Sequence, residues 1–158
     1  MSFITESTNS VRRSEARSRP QILLVDDDPS IIAGLQRNFH AYNVDLHVAF
    51  HGFQGVSEAL AWEPDLVITD LQMPFATGEE LMQCLSHIPK TRCVPIIVIT
   101  GRAGVTLSKR MKSLGVTAVL EKPILFDVLL SHIAEYVHVE KREYPSPHAK
   151  SETKGASL

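Results

Sequence analysis

Pro64-Asp65-Leu66-Val67-Ile68-Thr69-Asp70 is followed at once by Leu71-Gln72-Met73-Pro74. An unbroken apolar run that stops on a carboxylate and a turn describes a strand covered on both faces, since a strand with one wet face would alternate. Such a strand delivers Asp70 to the carboxyl edge of a sheet, which is where ligands bind in open α/β sheets. Upstream the pattern repeats, with Ile22-Leu23-Leu24-Val25 running into Asp26-Asp27-Asp28-Pro29. Two strands that bring carboxylates to one edge make a cluster that repels itself unless a cation sits in it.

Outward from these two stretches, further apolar runs predict strands over 21–25, 45–50, 65–69, 95–100 and 116–120. The segments between them have helical spacing. Asp28 and Pro29 are a helix cap and a first-turn proline, and Ile31, Leu35 and Phe39 follow at four-residue intervals. Leu107, Met111 and Leu114 form a stripe closed by Gly115, and Leu125, Leu129, Ile133 and Val137 form another. Five alternations of strand and helix predict an α/β fold, a doubly wound five-stranded parallel sheet with helices on both faces.

The chain has 158 residues, 44% of them hydrophobic, and a formal charge of −2, enough for one domain with a real core. Residues 21–138 hold eight Lys and Arg against thirteen Asp and Glu, five net negative charges, so no direct contact with nucleic acid is expected. No stretch approaches the roughly 20 apolar residues of a membrane span, and the start lacks the apolar region of a secretory signal. Two cysteines, Cys84 and Cys93, give no disulfide framework. A cytoplasmic protein with no membrane partner is expected. Residues 1–20 and 139–158 read as disordered tails around a domain over 21–138.

Five features converge on one edge: Asp26 and Asp27 after the first strand, Asp70 after the third, Thr100 after the fourth, and Lys122-Pro123 after the fifth. Clustered acidic oxygens suit Mg2+, a hard cation. An aspartate carboxylate is a competent nucleophile toward phosphorus, and a metal, an ammonium and a hydroxyl together can share the charge of a transferred phosphoryl group. Each feature has a bland reading alone. Asp28 serves equally well as a cap, and threonine at a strand end can reflect β-propensity. The combination is what carries the argument.

Leu24-Val25-Asp26-Asp27-Asp28-Pro29, Asp70-Leu71-Gln72-Met73-Pro74 with Gly78, Ile99-Thr100 and Glu121-Lys122-Pro123 resemble the receiver domain of two-component response regulators, over residues 20–138. The resemblance implies a flavodoxin-like sheet of order 2-1-3-4-5. It implies that Asp70 is the phosphoacceptor, receiving phosphate from a sensor histidine kinase or a histidine phosphotransfer protein. Asp26, Asp27 and Asp70 would hold Mg2+ with the backbone carbonyl of Gln72, Thr100 would be the switch hydroxyl, and Lys122 the site lysine, ahead of a cis bond to Pro123. At two positions the chain departs from the family. Val119 stands where the family usually has Tyr or Phe, and a β-branched side chain cannot act as that aromatic rotor. Ile124 replaces a common Phe.

The function implied is that of a single-domain response regulator that switches the binding of an unknown downstream protein, a signalling protein rather than an enzyme. A phosphorelay intermediate and a non-switching interaction module are the alternatives. The seven histidines are scattered, without metal-ligand spacing. Arg102, Lys109, Arg110 and Lys112 read as a solvated face or a docking face on the fourth helix, and Trp62 is expected to seal the end of the second.

Overall fold

Strands whose residues are apolar on both faces need a layer of helices on each side, and the chain builds that sandwich. The computed structural model describes residues 17–102 and 104–143. Strands β1 (Gln21–Val25), β2 (Asp45–Ala49), β3 (Leu66–Thr69), β4 (Ile96–Thr100) and β5 (Ala118–Glu121) alternate with helices α1 (Pro29–Phe39), α2 (Gly52–Trp62), α3 (Gly78–His87), α4 (Val105–Ser113) and α5 (Phe126–Ala134). All strand pairs are parallel, in the order β2-β1-β3-β4-β5. The expected fold class and strand order are those observed.

Alternation along each strand divides the core in two. Leu23, Val25, Val67 and Val98 pack with Ala59 of α2, Leu81 and Leu85 of α3 and Met111 of α4. Ile22, Leu24, Ile68, Ile97 and Ile99 pack with Ile32 and Phe39 of α1 and with Leu129 and Ile133 of α5. Burial of each such side chain contributes about 1.5–3 kcal/mol. Phe126 meets Phe39 edge-on, ring centroids 4.9 Å apart at 87°.

The helix starts follow from side-chain chemistry. Asp28 caps α1, its Oδ1 accepting from the Ser30 N–H at 2.8 Å with Pro29 next in line. Thr77 and Glu80 form a reciprocal capping box on α3. Gly115, at φ 84°, turns the chain out of α4 in the left-handed region that glycine enters without steric cost. Val116, expected to start β5, instead donates its N–H to Met111 O, so it fills the core outside the ladder.

Other expectations need correction. Leu125 does not begin the α5 stripe: it is the residue before the helix and is 75% exposed, and Phe126 takes the inward place beside Phe39 and Tyr42. Ile32, rather than Ile31, joins Phe39 as a deeply buried residue of α1. Trp62 does not seal α2, being 50% exposed and stacked on His47 of β2 at 4.3 Å. The stretch 139–158 was expected to be a disordered tail, yet its first residues are tied down. Asn43 N–H donates to Glu140 O, Arg142 N–H to Ala41 O, and Lys141 bridges Tyr42 in antiparallel fashion. Residues 1–16 and 144–158, which hold the remainder of the two expected tails and His148, lie outside the described residues.

Candidate functional site

Strand register sets the site. Val25 pairs with Thr69 across β1 and β3, so the next residues along, Asp26 and Asp70, leave the sheet side by side. The ladder continues one step past the strands, with Asp70 N–H donating to Val25 O at 2.9 Å and Asp26 N–H to Ala49 O at 3.1 Å. Thr100 pairs with Glu121, and Lys122 N–H donates to Thr100 O at 2.8 Å, which carries the lysine to the same edge. The Lys122–Pro123 peptide is cis, as the resemblance implied.

Asp26, Asp27 and Asp70 each offer a carboxylate oxygen, and the three lie within 4.8 Å of one another. Asp26 and Asp70 are buried whereas Asp27 is exposed, so the cluster opens to solvent on one side. Lys122 Nζ donates to Asp26 Oδ2 at 2.7 Å and to Asp70 Oδ2 at 3.2 Å. Asp70 Oδ1 accepts from the Leu71 N–H at 2.6 Å, with the Gln72 N–H at 3.4 Å. Asp26 Oδ1 accepts from the Asp28 N–H at 2.9 Å. Each oxygen of the two buried carboxylates is therefore pinned, which fixes their orientation.

Burial pushes the Asp26 carboxyl above its ordinary pKa, outweighing the Lys122 and Asp28 hydrogen bonds that draw it down. Burial also pulls the Lys122 ammonium down, but the bond to Asp26 and the charges of Asp26 and Asp70 outweigh it and leave the lysine raised. Three carboxylates against one ammonium form an oxygen-only donor set with surplus negative charge. That is the chemistry of a hard divalent cation site, and the residues fit Mg2+.

Thr100 is buried at the end of β4, and its Oγ1 accepts from the Arg102 N–H at 3.5 Å. It shares the edge with the acids, although none of the described hydrogen bonds joins its hydroxyl to them. The Gln72 side chain is exposed. The basic residues of α4 divide: Arg110 Nη2 pairs with Glu79 of α3 at 2.6 Å, while Lys109 and Lys112 are exposed. Val119 packs against the core of the α2–α4 face.

Gly78 supports the acceptor in a way that motif reading alone did not reveal. A Cβ there would run into the Asp70 carbonyl, while the Gly78 N–H donates to Leu71 O at 3.1 Å. Its signal in the sequence was a lone glycine opening a helix, which gives no hint of what it must clear. Phe75 was also passed over. It adopts φ 66° and is 85% exposed in the loop after Asp70.

Comparison with known proteins agrees with this architecture. The DNA-binding dual master transcriptional regulator RpaA of Synechocystis is 27% identical over 114 residues, 72% of this chain and 47% of that protein. The hybrid signal transduction histidine kinase D of Dictyostelium discoideum is 25% identical over 138 residues, 87% of this chain and 9% of that protein. The chain thus spans less than half the length of either relative. In fold it is similar to the chemotaxis protein CheY4 of Vibrio cholerae, with a TM-score of 0.71 at 24% identity over 76% of this chain and all of that one. Residues 22–134 match the response regulator receiver domain, and the chain belongs to that family of two-component signalling proteins.

Proposed function

We propose that this receiver domain accepts a phosphoryl group on Asp70 from a phosphohistidine of a sensor kinase or phosphotransfer protein, and that the modified form changes its binding to a downstream protein. The observation that carries the reading is the pinned Asp70 carboxylate beside Asp26, Asp27 and Lys122. The Leu71 N–H holds Oδ1 at 2.6 Å, and Oδ2, held by Lys122 at the longer 3.2 Å, is the oxygen we assign to meet phosphorus. The phosphorus–nitrogen bond of the donor breaks with its electron pair staying on the histidine ring, and an acyl phosphate forms.

Asp26, Asp27 and Asp70, with the Gln72 carbonyl, would hold Mg2+, which offsets charge on the phosphoryl oxygens. Lys122, bonded to Asp26 and Asp70, would stabilise the same charge, and the Thr100 hydroxyl is the nearby donor of β4. Receiver domains work with histidine kinases, and the phosphodonor is assigned to that class.

Intact mass after treatment with phosphoramidate tests the reading. The parent should gain one phosphate with Mg2+ and little with chelator, and Asp70→Asn should gain none. A full mass gain in Asp70→Asn would end this assignment.

A further inference from the structure

The loop after Asp70 is closed on itself. Gly78 N–H donates to Leu71 O at 3.1 Å, and Gly78 lies against the Asp70 carbonyl with no room for a Cβ. The residues between these ends therefore move with the acceptor backbone. At the tip of the loop Ala76 N–H donates to Pro74 O at 2.8 Å across Phe75, which sits at φ 66°. A three-residue turn whose central residue is in the left-handed region is rare and strained, and strained backbone beside a reactive group is the kind of element that can change state.

The far side of this loop is keyed into α2. Gly52 N–H donates to Ala76 O at 3.1 Å. Gly52 is buried, and a Cβ on it would come within 2.8 Å of both the Ala76 Cβ and the Ala76 carbonyl oxygen, and 3.0 Å of Thr77 O. The two backbones thus rest on each other with no long side chain between them to absorb a displacement. Interiors packed in this way compress little and transmit strain.

The receiving turn is weak on its own. His51-Gly52-Phe53-Gln54-Gly55 opens α2 with two glycines, the poorest helix formers after proline, and the first turn holds no acidic residue to favour the helix dipole. Its cap is one imidazole nitrogen, His51 Nδ1, accepting from the Gln54 N–H at 3.2 Å. Tertiary contact holds the turn instead: Ala76 at Gly52, and Leu81 and Val25 crowding Gly55, 3.2 and 3.3 Å from where its Cβ would stand. A turn whose order is borrowed from the 71–78 loop follows that loop when it shifts. Phe50 and Phe53, 43% and 61% exposed, flank the turn and put its state on the surface.

We propose that the first turn of α2 is a conformational relay, keyed through Gly52 to the loop after Asp70, which carries the state of Asp70 to the surface around Phe50 and Phe53. The relay rests on the reading of Asp70 as phosphoacceptor, with the Gln72 carbonyl of the same loop holding metal. It reaches the surface by a route that does not pass through Val119.

Amide exchange of the full chain with Mg2+ and beryllofluoride, a stand-in for the phosphoryl group, tests the relay. Exchange over 71–78 and over 52–56 should slow together, the second by on the order of tenfold, the effect of firming one hydrogen bond, while 129–133 of α5 change little. Coupling is reciprocal, so Gly52→Ala, which wedges the backbones apart, should raise the beryllofluoride dissociation constant about threefold or more, as residues that couple to a site without touching its ligand do. Gly34→Ala on α1, where a Cβ meets nothing nearer than 3.9 Å, should leave it unchanged. Should Gly52→Ala not fold, Ala76→Gly opens slack at the same contact without a clash, and should shrink the response at 52–56 while that at 71–73 persists. No change at 71–78 in the parent would overturn the Asp70 reading and the relay with it. Slowed exchange at 71–78 beside unchanged or faster exchange at 52–56 would overturn the relay alone. So would equal slowing in α5, a parental dissociation constant in folded Gly52→Ala, or a full response at 52–56 in Ala76→Gly.

Discussion

Lys122 Nζ lies closer to Asp26 Oδ2, at 2.7 Å, than to Asp70 Oδ2, at 3.2 Å. The lysine is thus anchored by an acid that burial discourages from ionising, and it reaches the acceptor at the longer distance. An ammonium shared in this way neutralises part of the cluster and leaves Asp27 exposed at the open side. Anything that removes one member of the group redistributes charge among the rest.

Removing an acid should accordingly have opposite effects with and without metal. Asp27→Ala relieves repulsion, so its stability in chelator should rise by a few tenths to about 1 kcal/mol, the scale of exposed charge pairs. In Mg2+ the parent gains stability by mass action and the variant should gain much less. Urea denaturation with and without Mg2+ checks this, and an equal metal-induced shift in both proteins would exclude Asp27 as a ligand.

Gly78 leaves no room for a side chain above the Asp70 carbonyl. Gly78→Ala should therefore destabilise the fold by about 1–3 kcal/mol, the usual cost of forced overpacking. It should also slow phosphorylation by a small donor, because relief of the clash displaces the acceptor backbone. A Gly78→Ala protein with parental stability and parental labelling rate would show that the loop gives way freely.

His47 provides a pH test away from the acids. Burial lowers its pKa, against the opposing charges of Glu58 and Asp45, and its Nε2 lies 2.7 Å from Gln21 Oε1 while Trp62 stacks on the ring. The folded-state pKa is below the unfolded value of about 6.5, so the unfolded chain binds the proton more readily. The contribution is present above that pH and is lost as pH falls through the folded pKa. The urea midpoint of the parent should fall more steeply on acidification below about pH 6.5 than that of His47→Gln. Parallel curves would remove His47 as the cause.

Val119 should mute the conformational response to a phosphoryl group on Asp70. It packs on the core of the α2–α4 face without the ring that would fill space left by a moving Thr100. A switch from 1:99 to 99:1 needs about 5.5 kcal/mol of differential stabilisation, and a missing buried ring can remove a few of these. Amide exchange with beryllofluoride should change over 101–112 and little over 116–137, and Val119→Tyr should enlarge the second response. Large matched changes across both segments in the parent would sink this idea.

Local chemistry made much of this protein legible from sequence. Unbroken apolar runs such as Leu66–Thr69 announce strands covered on both faces, Asp28-Pro29 announces a capped helix, and strand ends fix which residues reach the carboxyl edge. The expected architecture and the cluster of Asp26, Asp27, Asp70 and Lys122 followed from those rules. Long-range contact decided the rest. Nothing near Gly78 in the chain says that it must clear the Asp70 carbonyl, and nothing near Lys122 says that it bonds more closely to Asp26, 96 residues away. Helical spacing nominated Leu125, yet the core took Phe126, because its ring fits between Phe39 and Tyr42. Trp62 likewise stays half in water, since the surface it meets is the edge strand rather than the interior. Periodicity and capping are properties of neighbours in sequence, whereas clearance, pairing and exposure are set by residues that only the folded chain brings together.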